Sequence, residues 1–298
     1  MNYKGIIRSQ RLRFKVLYYL RFIPDSIMLR LQYRIKMGFW PNFKHPKRFT
    51  EKLQLYKMRY RNPIMPMCVD KYEVRKYVEN KGLGNILNDC YGVYDSVKDI
   101  DLGKLPNQFV AKTTDGGGGL NVVLVKDKGA LDVNAFESNL SLWNRRKSIS
   151  PGREWAYNGI GKSRIVIERL LVDELNEDGS IEDYKFLCFN GRFQYLWIDK
   201  NRYSNHKRGF WNRDLQFLQG VESDHPTFDV PPILPFNINE MISIVEKLSE
   251  DFPFARIDLY NIQGEIIFGE ITFYPWSGYV KYVPDSFDFE LGNCFAEY

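Results

Sequence analysis

The stretch RIDLYNIQGEIIFGEITFYPWSG, residues 256–278, predicts a β-hairpin. Polar and apolar side chains alternate up to Tyr260, Asn and Gly then supply turn chemistry, and a strand rich in Ile and Phe returns from Glu265. Because alternate residues of a strand share a face, antiparallel pairing is expected to bring Asp258 close to Glu270.

Charged and hydroxyl side chains alternate along both predicted strands. Arg256 and Asp258 share a face of the first strand. Phe268, Glu270 and Thr272 are expected to share a face of the second. Two carboxylates beside an arginine suit a magnesium ion that carries phosphate. A cross-strand Arg–Glu pair on a solvated sheet face would explain the same residues, so the hairpin alone leaves both interpretations open.

A glycine-rich loop lies upstream, where residues 108–125 predict a strand, a loop and a strand. The loop holds Asp115 and four glycines, Gly116, Gly117, Gly118 and Gly119. Their N–H groups can approach an anion closely because no Cβ intervenes, and Lys112 adds a positive charge. No Gly-Lys-Ser/Thr follows and no helix opens here, which excludes a Walker loop and a dinucleotide fingerprint. The pattern favours a phosphate-covering loop over a flexible hairpin tip.

Composition predicts a folded protein of one large domain or two to three subdomains. The 298 residues are 44% hydrophobic and 15% aromatic, which is ample for a packed core. Four scattered cysteines indicate a reducing compartment, and the three histidines lack second ligands at zinc spacing. Neither a signal peptide nor an apolar run of transmembrane length is present in the sequence, so we expect a cytoplasmic location.

The first 50 residues are strongly basic, with 12 Lys and Arg against a single acid, Asp25. Residues 11–23 and 26–37 are predicted helices. In the second helix Ile27, Met28, Leu31 and Ile35 line one face and arginines line another. Such a helix suits either an anionic membrane surface or packing on its own domain. We favour peripheral attachment at the inner face of the membrane, and no recognition or stacking signature indicates nucleic acid.

Further elements complete the chain. Helices are predicted over residues 69–78, 131–147 and 239–250, a nearly continuous apolar strand over 164–172, and a hairpin over 182–198 with a turn at Asn190–Gly191.

The order of these motifs resembles the ATP-grasp fold. The residues that carry the resemblance are Asp70-Lys71, Lys112 with its glycine loop, Glu168-Arg169-Leu170-Leu171, Asp183-Tyr184-Lys185, Arg256-x-Asp258 and Glu270-x-Thr272. More narrowly, Gly152-Arg153-Glu154-Trp155, Asn205-His206-Lys207-Arg208 and residues 252–273 resemble the TupA-like branch, related to teichuronopeptide biosynthesis and found with capsule and O-antigen genes. The likeness covers roughly residues 40–295.

The resemblance implies an α+β fold in which two α+β subdomains clasp a nucleotide. Together with the basic, helical N-terminal arm (1–48) that the charge pattern predicts, it gives three further regions: a region leading into the ATP-grasp core (49–106), a subdomain with the glycine-rich lid (107–172), and a C-terminal subdomain with the metal site (173–298).

The resemblance also implies residue roles. Lys71 and Lys112 would contact the phosphates of ATP, Glu168 and the Leu171 backbone the adenine, and Asp183 the ribose. The full set of implied ATP contacts is Lys71, Lys112, Asp115, Gly116, Gly117, Gly118, Gly119, Glu168, Leu171, Asp183 and Lys185. Mg²⁺ would be held by Asp258, Glu270 and Thr272, although relatives commonly carry Asn where this chain has Thr272. Arg256, the Gly278 backbone, Lys207 and Arg208 would stabilise the transferring phosphoryl group and the later oxyanion.

The implied activity is an ATP- and Mg²⁺-dependent carboxylate–amine ligase. It would join a uronic acid of a surface glycan, or of a lipid-linked or nucleotide-linked precursor, to an amino acid or amine. Some relatives are labelled glycosyltransferases, but a nucleotide-sugar site would not explain Lys71, Lys112 and the glycine loop together. A sugar kinase and a non-catalytic scaffold of a glycan-assembly complex also stay open.

Overall fold

The computed structural model describes residues 10–117, 121–144, 152–176, 179–201 and 205–296. The helices are α1 (Gln10–Tyr19), α2 (Asp25–Met37), α3 (Phe49–Arg59), α4 (Met65–Val69), α5 (Val74–Asn80), α6 (Val133–Asn144), α7 (Trp155–Asn158), α8 (Ile238–Ser249) and α9 (Ser286–Cys294). The strands are β1 (Cys90–Tyr94), β2 (Phe109–Thr113), β3 (Val122–Val125), β4 (Ile165–Glu168), β5 (Asp183–Phe189), β6 (Arg192–Lys200), β7 (Lys207–Trp211), β8 (Phe254–Ile262) and β9 (Glu265–Thr272).

The strands form two antiparallel sheets. The first has the order β1-β4-β2-β3, and its small core includes Phe109, Ile167 and, from α6, Phe136. The second has the order β7-β6-β5-β8-β9 and packs against a larger core. That core takes in apolar side chains of α3, α5 and α8, because each of these helices presents an apolar stripe to the sheet.

The C-terminal hairpin is confirmed. Strands β8 and β9 pair antiparallel, with Asp258 opposite Glu270. The turn is tighter than the sequence indicated, because only Gln263 and Gly264 separate the strands, both at positive φ. The expectation that Phe268 shares a face with Glu270 is wrong. A register shift lies between Asp258 and Leu259, so the extra residue on β9 sends Phe268 to the apolar core side.

The helix predicted over residues 69–78 is interrupted. Helix α4 ends at Val69 and α5 begins at Val74. The Asp70 carboxylate accepts hydrogen bonds from the Tyr72 and Glu73 N–H groups, both at 2.9 Å, and this local bonding replaces helical bonding. The interruption places Lys71 in a turn, where its N–H donates to the Thr114 carbonyl at 2.9 Å.

The other predicted elements are present, with their ends shifted by a few residues. The strand predicted over 164–172 ends at Glu168, and the helices near 131–147 and 239–250 are α6 and α8. The hairpin over 182–198 is confirmed as β5 and β6, with Asn190 and Gly191 at positive φ in the turn.

Helix α2 packs on the body through a face that differs from the one predicted. Leu29 and Tyr33 are fully buried, and the Tyr33 hydroxyl lies 2.8 Å from the Thr50 hydroxyl. Of the predicted apolar face only Met28 is buried, while Ile27, Leu31 and Ile35 are exposed. No helix in the described part of the chain is long and apolar enough to cross a membrane.

Candidate active site

One face of the second sheet carries a row of charged side chains. The strand register places Lys185 of β5 beside Asp258 of β8, and Asp258 beside Glu270 of β9. Directly opposed residues of neighbouring strands project from the same face. The Lys185 ammonium donates to Asp258 at 2.6 Å and also contacts Asp183.

Arg256 is the centre of this cluster. Its Nε and Nη2 atoms donate to the two carboxylate oxygens of Asp258 at 2.6 and 2.7 Å. The same Nη2 donates to Glu270 Oε1 at 2.7 Å and to Thr272 Oγ1 at 3.0 Å, and the Thr272 hydroxyl donates to Glu270 at 3.0 Å. The cross-strand Arg–Glu pair therefore exists, but Arg256 and Asp258 are buried rather than solvated.

The two carboxylates have opposite electrostatic environments. Burial raises the pKa of Asp258 to about 6, although Arg256 and Lys185 act in the other direction. Burial also opposes ionisation of Glu270, but Lys71 and Arg256 outweigh it and hold its pKa well below the usual range. Two nearby acids with pKa values pushed apart are typical of functional sites.

The loop that carries Lys71 meets the glycine-rich loop above this cluster. Lys71 Nζ lies 3.2 Å from Glu270 Oε2. A narrow cavity of about 10 Å³ is lined by Lys71, Gly116, Tyr157 and Glu270. The structure thus brings Glu270 and the start of the glycine loop to the wall of one cavity.

The remaining lid residues lie close by. The Ser163 hydroxyl donates to Asp115 at 2.6 Å, which ties the start of the loop to the segment before β4. Gly117 is exposed. A Cβ on Gly117 would have no heavy atom within 4 Å. Gly118 and Gly119 fall outside the described residues.

The first sheet contributes Lys112 of β2 and Glu168 of β4. Lys112 Nζ lies 2.6 Å from Glu168 Oε2. Leu171 follows β4 by three residues and is half-buried. The adenine and ribose roles of Glu168, Leu171 and Asp183 stay predictions.

Arg208 extends the charged row to the sheet edge. Its Nε donates to the fully buried Asp199 at 2.6 Å, and its Nη1 contacts Asp224. Its guanidinium lies 4.8 Å from the Trp276 ring, which stacks on Trp197 at 4.6 Å. Trp197 also lies 5.3 Å from the guanidinium carbon of Arg256, so one aromatic platform separates the two arginines.

Lys207 does not join Arg208. Consecutive strand residues project from opposite faces, and Lys207 pairs with the exposed Asp229. The structure does not bring Lys207 to Asp258, and its catalytic role stays a prediction.

Gly278 lies in a turn that directly follows β9, the strand that carries the predicted metal ligands Glu270 and Thr272. Trp276, Ser277 and Gly278 all have positive φ, a conformation that only Gly adopts without strain. Gln54 donates to the carbonyls of Ser277 and Gly278 at 3.2 and 2.9 Å and holds the turn against α3.

Lys57 is a buried cation that the sequence interpretation missed. Its Nζ donates to the Ser277 carbonyl at 2.5 Å and the Ser277 hydroxyl at 2.9 Å. Burial lowers its pKa to about 7. Its spacing was the available signal, because Phe49, Leu53 and Lys57 recur at four-residue intervals on the buried side of α3. Asp199 was also missed, since only the β6–β7 register brings it to Arg208.

The residues present fit a magnesium ion that shares its ligands with phosphate. Asp258 and Glu270 both accept hydrogen bonds from one nitrogen of Arg256, so the two carboxylates lie side by side. Mg²⁺ in nucleotide sites is typically bound by one or two carboxylates, with phosphate and water supplying the rest. Within the described ranges no group of three or more His, Cys, Asp or Glu is arranged to hold a metal by itself.

These features define an ATP-grasp fold. The chain matches the TupA-like ATP-grasp family over residues 51–296 and belongs to it. No curated protein sequence matches the chain.

Similar solved structures include two amino-acid ligases. The L-amino acid ligase from Bacillus licheniformis is 17% identical, with 86% of this chain and 57% of that chain covered and a TM-score of 0.47. D-alanine–D-alanine ligase from Bacillus anthracis is 17% identical, with 69% of this chain and 57% of that chain covered and a TM-score of 0.44. An N5-carboxyaminoimidazole synthetase from Staphylococcus aureus complexed with ADP is 14% identical, with 75% of this chain and 50% of that chain covered and a TM-score of 0.43. The chain thus spans little more than half the length of these proteins, and the likeness defines no substrate.

Proposed function

We propose that the protein is an ATP- and Mg²⁺-dependent carboxylate–amine ligase. It joins a uronic acid of a surface polysaccharide, or of its lipid-linked or nucleotide-linked precursor, to an amino acid or amine. The observation that carries the ligase proposal is the buried Arg256, shared by Asp258 and Glu270, beneath the cavity that Lys71 and Gly116 line. The uronic-acid substrate rests on the resemblance to proteins of surface-glycan loci.

The side chains of this site neutralise and align charge. ATP with Mg²⁺ supplies the γ-phosphoryl group that activates the substrate carboxylate as an acyl phosphate. Lys71 and Lys112 bind phosphate oxygens, while Asp258 and Glu270 hold the metal. Arg256 keeps both carboxylates in place and offers positive charge to the transferring group. Thr272 orients Glu270 through its hydroxyl.

The test is ADP release from ATP in the presence of paired uronates and amines. We expect ADP only when both substrates are present, and a product whose mass equals the acid plus the amine minus water. A phosphorylated sugar without an amide would indicate the kinase, and hydrolysis of a sugar nucleotide without ATP would indicate the glycosyltransferase. Absence of ADP with every pairing, while ATP still binds, would contradict the ligase.

We further propose that the protein acts in the cytoplasm, with the N-terminal helices against the inner face of the membrane. Ile27, Leu31 and Ile35 form an exposed apolar stripe on α2, and their exposed neighbours Arg30 and Arg34 suit anionic headgroups. Apolar side chains of α1, Leu12 and Val16 among them, are also exposed.

Flotation with vesicles that contain anionic lipid tests this contact. Deletion of residues 1–40 would remove the buried Leu29 and Tyr33, so substitutions are preferable. The triple change of Ile27, Leu31 and Ile35 to Ser is expected to abolish flotation without unfolding the protein. Flotation that is equal for wild type and the triple variant would contradict the membrane proposal.

A further inference from the structure

His206 is oriented by a buried carboxylate at the edge of the charged sheet face. Its Nε2 lies 3.0 Å from Asp199 Oδ1, and Asp199 is fully buried while 18% of the His206 side chain is exposed. Burial opposes ionisation of Asp199, but Arg208 outweighs it and holds the pKa of Asp199 well below its usual range. An ionised carboxylate only accepts hydrogen bonds, so Nε2 carries a proton. Nδ1 is then the basic nitrogen of the neutral ring.

The register connects this pair to the candidate metal site. Asp199 lies opposite Asp183 on β5, and Asp183 contacts Lys185, which bonds Asp258. Directly opposed residues share a face, so His206 is attached to the same face as the carboxylate cluster.

The charged and titratable groups around His206 come from three elements. Asp199 belongs to β6 and Arg208 to β7. The segment between β7 and α8 contributes Asp224 and His225, whose ring centroid lies 3.7 Å from that of His206. Burial lowers the pKa of His225.

Building on the ligase function, we propose that His206 is the general base that deprotonates the incoming amine. An ammonium group has no lone pair and cannot attack an acyl phosphate. Nδ1 of His206 takes one proton from the ammonium, and the free amine attacks the acyl carbon. The C–N bond forms, and the bond from carbon to the phosphoryl oxygen breaks with its electron pair. The departing phosphate takes the second proton from nitrogen, and His206 returns the first to solvent.

The kinetic test uses two nucleophiles with glucuronate as the acid. Hydroxylamine is largely neutral at neutral pH and needs no base, whereas glycine is an ammonium. We expect His206→Gln to lower the rate with glycine by about 100-fold or more, the usual contribution of a general base, and to leave hydroxamate formation unchanged. His45→Gln, at an exposed histidine, is the control and should behave as wild type. Equal losses with both nucleophiles, or no loss with glycine, would overturn the proposal.

A spectroscopic test does not depend on substrate. The chain has three histidines, so ¹⁵N-edited ring spectra of wild type, His45→Gln and His206→Gln assign every ring. In the neutral ring of His206 we expect the Nε2–H tautomer, because Nε2 faces the Asp199 carboxylate. A neutral Nδ1–H tautomer would overturn the proposal even if the protein is a ligase. A wild-type protein that forms neither product while showing the expected tautomer would instead contradict the ligase function on which the proposal rests.

Discussion

Replacement of Lys57 by Met is expected to change how stability depends on pH. Burial lowers the Lys57 pKa to about 7 in the folded protein, against about 10.4 in an unfolded chain. Between these values the unfolded chain binds more protons, so the unfolding free energy rises with pH. The full difference between the two pKa values corresponds to about 5 kcal/mol of unfolding free energy. This is an upper bound, because the nearby oxygens of Ser277, Gln54 and Gly152 all accept hydrogen bonds and favour the ammonium.

The assay is urea unfolding of wild type and Lys57→Met at several pH values between 7 and 10. The wild-type unfolding free energy should gain up to about 3.5 kcal/mol relative to the variant across this range, because the range begins at the folded-state pKa and ends below the unfolded-state pKa. Near pH 7 the two proteins should be similar, because removal of the buried charge offsets the carbonyls left without a donor. Lys104→Met, at a lysine that is 84% exposed, is the control and should run parallel to wild type. Parallel curves for wild type and Lys57→Met would refute the reasoning.

Three further predictions concern packing, the N-terminal helices and the metal site. Gly292→Ala should destabilise the fold by about 1–3 kcal/mol in urea unfolding, because the new Cβ would lie 2.0 Å from the Lys47 carbonyl; an unchanged midpoint would contradict this contact. Arg153→Met should speed tryptic cleavage of α1, since Arg153 bonds Asp25 at 2.6 Å and nearby carbonyls; wild-type cleavage would count against that anchoring. Thr272→Val should reduce ADP formation by about 10-fold, the value of one hydrogen bond, and a complete loss would indicate direct metal ligation.

Local patterns predicted much of the fold. The hairpin that carries Asp258 and Glu270 could be predicted because strand alternation and turn chemistry both act over a few residues. The bulge that turns Phe268 into the core depends on pairing with β8, which no local pattern records. The interruption of the helix at Asp70 reflects a side chain that competes with helical hydrogen bonding.

The candidate site was predicted best where its residues lie in short motifs. Arg256, Asp258 and Glu270 meet as expected. Asp199 and Lys57 were missed because their environments are set by distant chain segments. A lysine is also usually a surface residue, so only the four-residue spacing on α3 distinguished Lys57 from a solvated one.

The central claim is that the hairpin carboxylates and the facing loops bind ATP with Mg²⁺. Calorimetric titration of ATP in the presence and absence of Mg²⁺ tests it most directly, with wild type, Glu270→Gln and, as control, Glu265→Gln, an exposed position on the same strand. We expect Mg²⁺-dependent binding to wild type and the control, and an affinity lower by about 100-fold for Glu270→Gln, since loss of a charged partner costs about 3 kcal/mol. Equal affinity of Glu270→Gln and wild type for ATP with Mg²⁺ would contradict the claim.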